Sequence, residues 1–207
     1  MAAQRDELRL GCACGRVVLH IEGASPAVAN RVACHCRGCN RFANDMRPEI
    51  LDALGGTERF QVSPATVTIV SGQQAIACRQ QTRKGALRWY ASCCNTPLGL
   101  TLPNPKVPFV GLDVHALDHD EKQLEAVLGP LRARVNVSPR PENAKALKAS
   151  HGALFSMLRH LIPLTWRWWR QGEHRSSPFF DAQGRPIVEV ERRYEKLPAL
   201  ATTAGCR

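Results

Sequence analysis

The run Cys34-His35-Cys36-Arg37-Gly38-Cys39 places three thiols within six residues. Two further groups flank it, Cys12-Ala13-Cys14 upstream and Cys93-Cys94 downstream, so seven of the nine cysteines fall in three tight clusters. Thiolate sulfur binds zinc at about 2.3 Å in a tetrahedron, and cysteines separated by one or two residues reach one ion when the backbone between them turns. Gly15 and Gly38 stand where such turns are needed. Cys34, Cys36 and Cys39 supply three ligands locally and leave a fourth position for water or a substrate atom. Three protein ligands with an open position mark a catalytic zinc, and four mark a structural one. Cys12 and Cys14 have no local partner pair, so the rest of their set comes from afar. Cys94, with or without Cys93, is the natural supplier.

The competing reading of the triple cluster is buried core thiols, since free cysteine is among the most buried residue types. Its polar neighbours His35, Arg37 and Asn40 argue against that. His35 lies between two ligand positions, where its side chain points away from the metal and packs or supports. Arg37 and Arg41 are candidates to hold a substrate carboxylate through charge-assisted bonds, the alternative being solvated surface charge. Cys78 lies in an apolar stretch and reads as core, while Cys206 reads as a free thiol near the C-terminus.

Around these residues the sequence predicts a mainly β fold with a helical extension. Residues 8–11 and 16–21 read as strands bracketing the Cys12-Ala13-Cys14-Gly15 knuckle, and 31–34 as a strand leading into the triple cluster. Pro48 opens a short helical turn. Residues 65–70 read as a strand on their β-branched content, 74–79 and 86–91 as further strands separated by Arg83-Lys84-Gly85, and 107–112, with Pro108 inside, as an edge strand. Beyond Val137 the pattern changes. A linker at 138–141 and a cap at Asn143 precede an amphipathic helix with Leu147, His151, Leu154, Leu158 and Leu161 on one seam. Pro163 should kink or break it, and a second short helix at 165–171 should end at Gly172. The division is therefore a β domain at 1–137, a basic helical extension at 138–175 and a polar tail at 176–207.

The net charge of +10 is concentrated between Arg132 and Arg175, where nine Lys/Arg face only Glu142 and Glu173. Such a surface favours nucleic acid, membrane headgroups or a small acidic substrate as partner. The Trp166-Arg167-Trp168-Trp169-Arg170 cluster suits a lipid interface, packing on its own domain, or a homo-oligomer contact. No apolar run approaches the roughly 18 residues of a transmembrane helix. The first eight residues carry both signs of charge and no apolar stretch, so no export signal is expected and the protein is expected to be cytoplasmic. There thiols stay reduced and serve as metal ligands or catalytic groups.

The ordered set Cys12-Ala-Cys-Gly15, Cys34-His-Cys-Arg-Gly-Cys39 and Ala91-Ser-Cys-Cys-Asn-Thr-Pro-Leu98 resembles the glutathione-dependent formaldehyde-activating enzymes, whose domain is shared with centromere protein V. In that family the third motif is Cys-x-x-Cys-Gly-Thr-Pro-Leu, so Ala91 and Asn95 depart from it and Cys93 becomes the candidate fourth ligand. The likeness covers roughly residues 8–112. It implies an Mss4-like, β-tent fold, one zinc at Cys12, Cys14 and Cys94, and a second at Cys34, Cys36 and Cys39. It also implies condensation of glutathione with formaldehyde to S-hydroxymethylglutathione, a carbon–sulfur lyase activity.

Two functional classes follow. One is a zinc enzyme in which Cys34, Cys36 and Cys39 form the catalytic centre and a thiol such as glutathione meets an aldehyde there. The other is a zinc-stabilised binding module whose basic helical region contacts nucleic acid, membrane or a protein partner.

Overall fold

The structure is a computed structural model and describes residues 8–137 and 144–194, with backbone alone for 144–152. The expected linker at 138–141, the Asn143 cap and Cys206 lie outside the described residues, as do the side chains of Leu147 and His151.

β1 (Leu8–Gly11) and β2 (Val18–Ile21) pair antiparallel around the first cysteine knuckle. Alternation turns Leu8, Leu10, Leu19 and Ile21 into the core. β5 (Val67–Ser71) joins β2 to complete a three-stranded sheet.

The second sheet has eight strands. β3 (Asn30–Cys34), β4 (Thr57–Val62) and β9 (Val110–Asp113) form one half. β8 (Thr96–Thr101), β7 (Leu87–Ala91) and β6 (Ile76–Gln80) continue it, all antiparallel. β10 (Ala133–Val135) and β11 (Val190–Arg192) add parallel strands at the two edges, on β3 and β6. The fold is mainly β.

The expected edge strand at 107–112 is corrected. Pro108 precedes β9, which therefore keeps all its donors and lies between β4 and β8. β4 and β8 escape a pattern reading because Glu58 and Arg59 interrupt one and Pro97 and Gly99 the other. Gly99 is required, since a Cβ there would lie 2.4 Å from the Gly111 carbonyl. Pro97 sits beside a register shift in the β7–β8 ladder, where a missing donor is tolerated.

Three helices complete the described residues. α1 (Arg37–Met46) follows the triple cluster directly, and α2 (Glu121–Leu128) is started by a capping box of Asp120 and Gln123. α3 (Ala144–Arg170) is one continuous helix through Pro163, which corrects the expected break. Pro163 lies on the exposed side, and the Thr165 hydroxyl donates to the carbonyls of Leu161 and Ile162 at 2.8 and 3.0 Å. α3 lays Met157, Leu164 and Trp168 inward, Met157 against Val32 and Ala133. No helix among the described residues is long and apolar enough to cross a membrane.

After α3 the chain returns to the β core. Phe179 is fully buried, with its ring 4.8 Å from that of Trp89.

Candidate metal centres

The triple cluster is built by the junction of β3 and α1. Cys34 ends β3, Cys36 is the N-cap of α1, and Cys39 lies in its first turn. The Cys39 amide donates to Cys36 Sγ at 3.4 Å, so a sulfur takes the place that a serine or aspartate oxygen usually fills. Cys39, Phe42 and Ala43 are the buried side of α1. Helix N-termini favour anions, so this position suits thiolates. The three Sγ atoms all lie within 4.8 Å of one another, Cys36 and Cys39 at 3.3 Å.

Two buried guanidiniums back this group. Arg59 Nη1 donates to Cys39 Sγ at 3.0 Å, and Arg88 Nη1 and Nη2 stand 3.7 and 3.8 Å from it. Gly38 makes room for Arg88, since a Cβ there would lie 2.7 Å from Nη2. The Cys39 thiol is held well below its ordinary pKa, chiefly because Cys34 and Cys36 donate to it; burial opposes this and the charges of Arg59 and Arg88 assist. Cys34 is displaced upward by the same sharing of protons with Cys36 and Cys39. On the outer side, the exposed Asn136 amide donates to Cys34 Sγ at 3.5 Å.

His35 is turned away from the sulfurs. Its Nε2 lies 3.0 Å from Asp52 Oδ2 and its Nδ1 3.3 Å from the Val135 carbonyl, and Arg134 reaches the same Asp52 oxygen at 2.7 Å. This knot fastens β3 to β10 and to the loop after α1.

The other centre joins the β1–β2 knuckle to the β7–β8 hairpin. Cys12, Cys14, Cys93 and Cys94 bring all four Sγ atoms within 4.8 Å of one another. Neighbouring residues of an extended strand face opposite ways, yet Cys93 and Cys94 both point inward because they occupy a turn, closed by Asn95 at φ 55°. The Cys94 thiol is drawn down to about 6; burial pushes it up, and bonds with Thr96 and Cys14 outweigh that. The Thr96 hydroxyl also accepts from the Ala13 amide at 3.0 Å, tying knuckle to hairpin.

Do these sets fit a metal? Sulfurs about 2.3 Å from one tetrahedral ion stand about 3.8 Å apart. The measured spacings in the four-cysteine group are 3.5 Å for Cys12–Cys14, 3.3 Å for Cys14–Cys93, 3.9 Å for Cys12–Cys93 and 3.8 Å for Cys93–Cys94. They bracket that value, and none of these cysteines is in a disulfide. Both groups can hold a metal ion, and soft thiolate donors select among metals accordingly. Cys78 stands apart, buried in β6 with its thiol pushed up to about 12 by burial, as expected of a core residue.

The sequence from residue 6 to 191 matches the model of a family of unknown function, DUF6151. The chain belongs to the DUF6151 family. Among curated proteins no sequence matches it. A crystal structure of a Rhodobacter sphaeroides protein is similar at 19% identity and a TM-score of 0.43, over 58% of this chain and 97% of that one.

In this DUF6151 chain the cysteines of both groups are marked by their spacing in the sequence, and the residues behind them are not. Arg59 and Asp113 are cross-strand partners on β4 and β9, and Arg88 sits opposite Arg79 on β7 and β6. Their relation to Cys39 depends on strand register, for which nearby sequence carries no signal. Arg37 and Arg41, the candidate carboxylate binders, lie one turn apart on the exposed side of α1.

Proposed function

We propose that this protein binds zinc at both cysteine groups, and that the Cys34/Cys36/Cys39 centre acts on a thiol–aldehyde adduct such as S-hydroxymethylglutathione, in the manner of a carbon–sulfur lyase. The four-cysteine group is then structural. One observation carries the reading: among the described residues the triple group holds three thiols, with Cys34 and Cys36 only partly buried, whereas the other group has four. The motif likeness to the formaldehyde-activating enzymes supports it, and the Mss4-like fold type belongs to the same proposal.

Zinc held there supplies Lewis acidity and stabilises an incoming thiol as thiolate. The chain's own residues do the rest. Three thiolates around a divalent cation leave an excess negative charge, which Arg59 and Arg88 offset from the buried side. Asn136, exposed beside Cys34, offers a donor to an oxygen that gains negative charge. Arg37 and Arg41 are the residues we assign to the carboxylates of a glutathione-like substrate.

The test is zinc stoichiometry on the reduced full chain, followed by turnover with glutathione and formaldehyde. Two zinc ions per chain are expected, with Cys36→Ser losing one ion and the turnover together. If Cys36→Ser leaves both unchanged, the catalytic assignment is wrong. A single four-coordinate ion with no turnover would instead identify a zinc-stabilised binding module.

A further inference from the structure

α3 is apolar on the side that faces away from the protein. Phe155, Leu158, Ile162, Trp166 and Trp169 recur at steps of three, four, four and three, which places them on one side of the helix. All five are exposed, Phe155 at 72% and Ile162 at 60%. The packed side is the opposite one, where Met157, Leu164 and Trp168 are buried. Of the three clustered tryptophans, only Trp168 is spent on the protein's own core. Trp166 and Trp169 stack on each other, 5.5 Å between centroids and 24° between planes, at the end of the exposed stripe.

The charge carried by α3 itself has one sign, the nearest acid in sequence after it being Glu173. The sequence of α3 contains five Lys/Arg and no Asp or Glu. By helical position Arg159 and Arg170 border the stripe. Beyond its C-terminal end, Lys106, Arg170, His174 and Arg175 line an open groove of about 690 Å³ with Trp169 as its apolar wall.

We propose that this face docks on an anionic lipid surface, with the five apolar side chains entering the interfacial layer and the surrounding cations meeting lipid phosphates. Outward-facing Trp, Phe, Ile and Leu beside arginine is the composition of a helix that lies in the plane of an interface. Two alternatives fit worse. A second copy seated on the same face would bring a further set of cations and no anions to meet them. Nucleic acid would satisfy the cations and leave Phe155, Leu158 and Ile162 against a polar backbone. Spanning is not at issue, as no described helix is long and apolar enough for it.

The test uses the full chain and sedimentation with vesicles of phosphatidylcholine alone or mixed with phosphatidylserine. Partition onto the mixed vesicles should exceed that onto the neutral ones by about tenfold and fall with added salt. Trp166→Ala/Trp169→Ala should lower it by about tenfold, with circular dichroism and metal content unchanged because both side chains are exposed. Arg159→Glu/Arg170→Glu should remove the preference for phosphatidylserine. Three results would overturn the proposal. The first is absence of partition onto mixed vesicles, and the second is partition that both double variants leave intact. The third is light scattering that shows a dimer, dissolved by the tryptophan variant, in protein that ignores vesicles. Retardation of single-stranded RNA without vesicle binding would assign the cations to nucleic acid instead.

Discussion

Arg59 and Asp113 face each other across β4 and β9 as a fully buried ion pair, Nε to Oδ1 at 2.9 Å, while the same guanidinium donates to Cys39 Sγ at 3.0 Å. One cation therefore serves both a carboxylate in the core and a sulfur in the triple cluster. Burial works against the charge on Arg59, yet the fields of Asp113 and Cys39 hold its pKa above the ordinary value. Removing the cation leaves Asp113 buried without its partner, which costs about 3–5 kcal/mol. Arg59→Met should show that loss in urea denaturation, and Arg59→Met/Asp113→Leu should recover most of it. Arg59→Lys keeps the charge but not the fork, and metal affinity at the triple cluster should drop about 10–100-fold, read by competition with a chromogenic chelator. If Arg59→Lys binds metal like the parent, the guanidinium does not position Cys39.

Asn95 controls the four-cysteine group through the backbone. At φ 55° it closes the turn that makes Cys93 and Cys94 face the same way, a conformation that Asn accepts better than most residues. Asn95→Gly should be neutral or slightly stabilising. Asn95→Val should cost about 1–2 kcal/mol and weaken metal retention at Cys12, Cys14, Cys93 and Cys94 while leaving the other group intact. Thermal unfolding and metal content of the two variants check this.

The cysteine knuckles, the β1–β2 pair and the strands around Ile69, Cys78 and Trp89 were legible in the sequence because short-range spacing specifies the first, and β-branched residues in β5 and the Trp89-Tyr90 pair in β7 favour strand. α1 was not. Its cap is Cys36 rather than Ser, Thr, Asp or Asn, and its buried side is only Cys39, Phe42 and Ala43, so a metal motif concealed a helix start. The charged residues behind Cys39 were illegible for another reason. Arg59 and Arg88 reach Cys39, and Asp113 reaches Arg59, only through the register of the run β4–β9–β8–β7, and a one-residue slip would send them elsewhere. The run at 107–112 misled because Pro108 lies close to β9 without belonging to it.

Acid sensitivity should trace to Asp52. Burial raises its pKa, but the Gly56 amide, His35 and the Leu54 amide outweigh that and hold it below the ordinary carboxylate value. A carboxyl depressed in the folded state binds fewer protons there than in the unfolded chain. Its contribution is therefore complete above the ordinary pKa of about 4 and is lost as pH falls through the lower folded value. Urea midpoints of the parent should decline across that window, and Asp52→Asn should lower stability near neutrality and flatten the decline. Equal slopes for the two proteins below pH 4 would show that the acid response lies elsewhere.

Two phenylalanines in the last third of the chain separate fold from surface. Phe179 follows α3 in a polar stretch, yet it is fully buried, stacks at 4.8 Å and 32° on Trp89, and precedes β11 on β6. The indole it covers is itself anchored, donating through Nε1 to Thr101 Oγ1 at 3.0 Å on β8. Truncating Phe179 leaves a cavity against a ring that cannot move without breaking that bond. Phe179→Ala should therefore cost about 3–5 kcal/mol. Phe155 on α3 is 72% exposed, and Phe155→Ala should change stability by no more than about 0.5 kcal/mol. Paired denaturation curves decide whether the segment after α3 is integral to the β core. A Phe179→Ala loss as small as that of Phe155→Ala would mean that this return packs on the domain without supporting it.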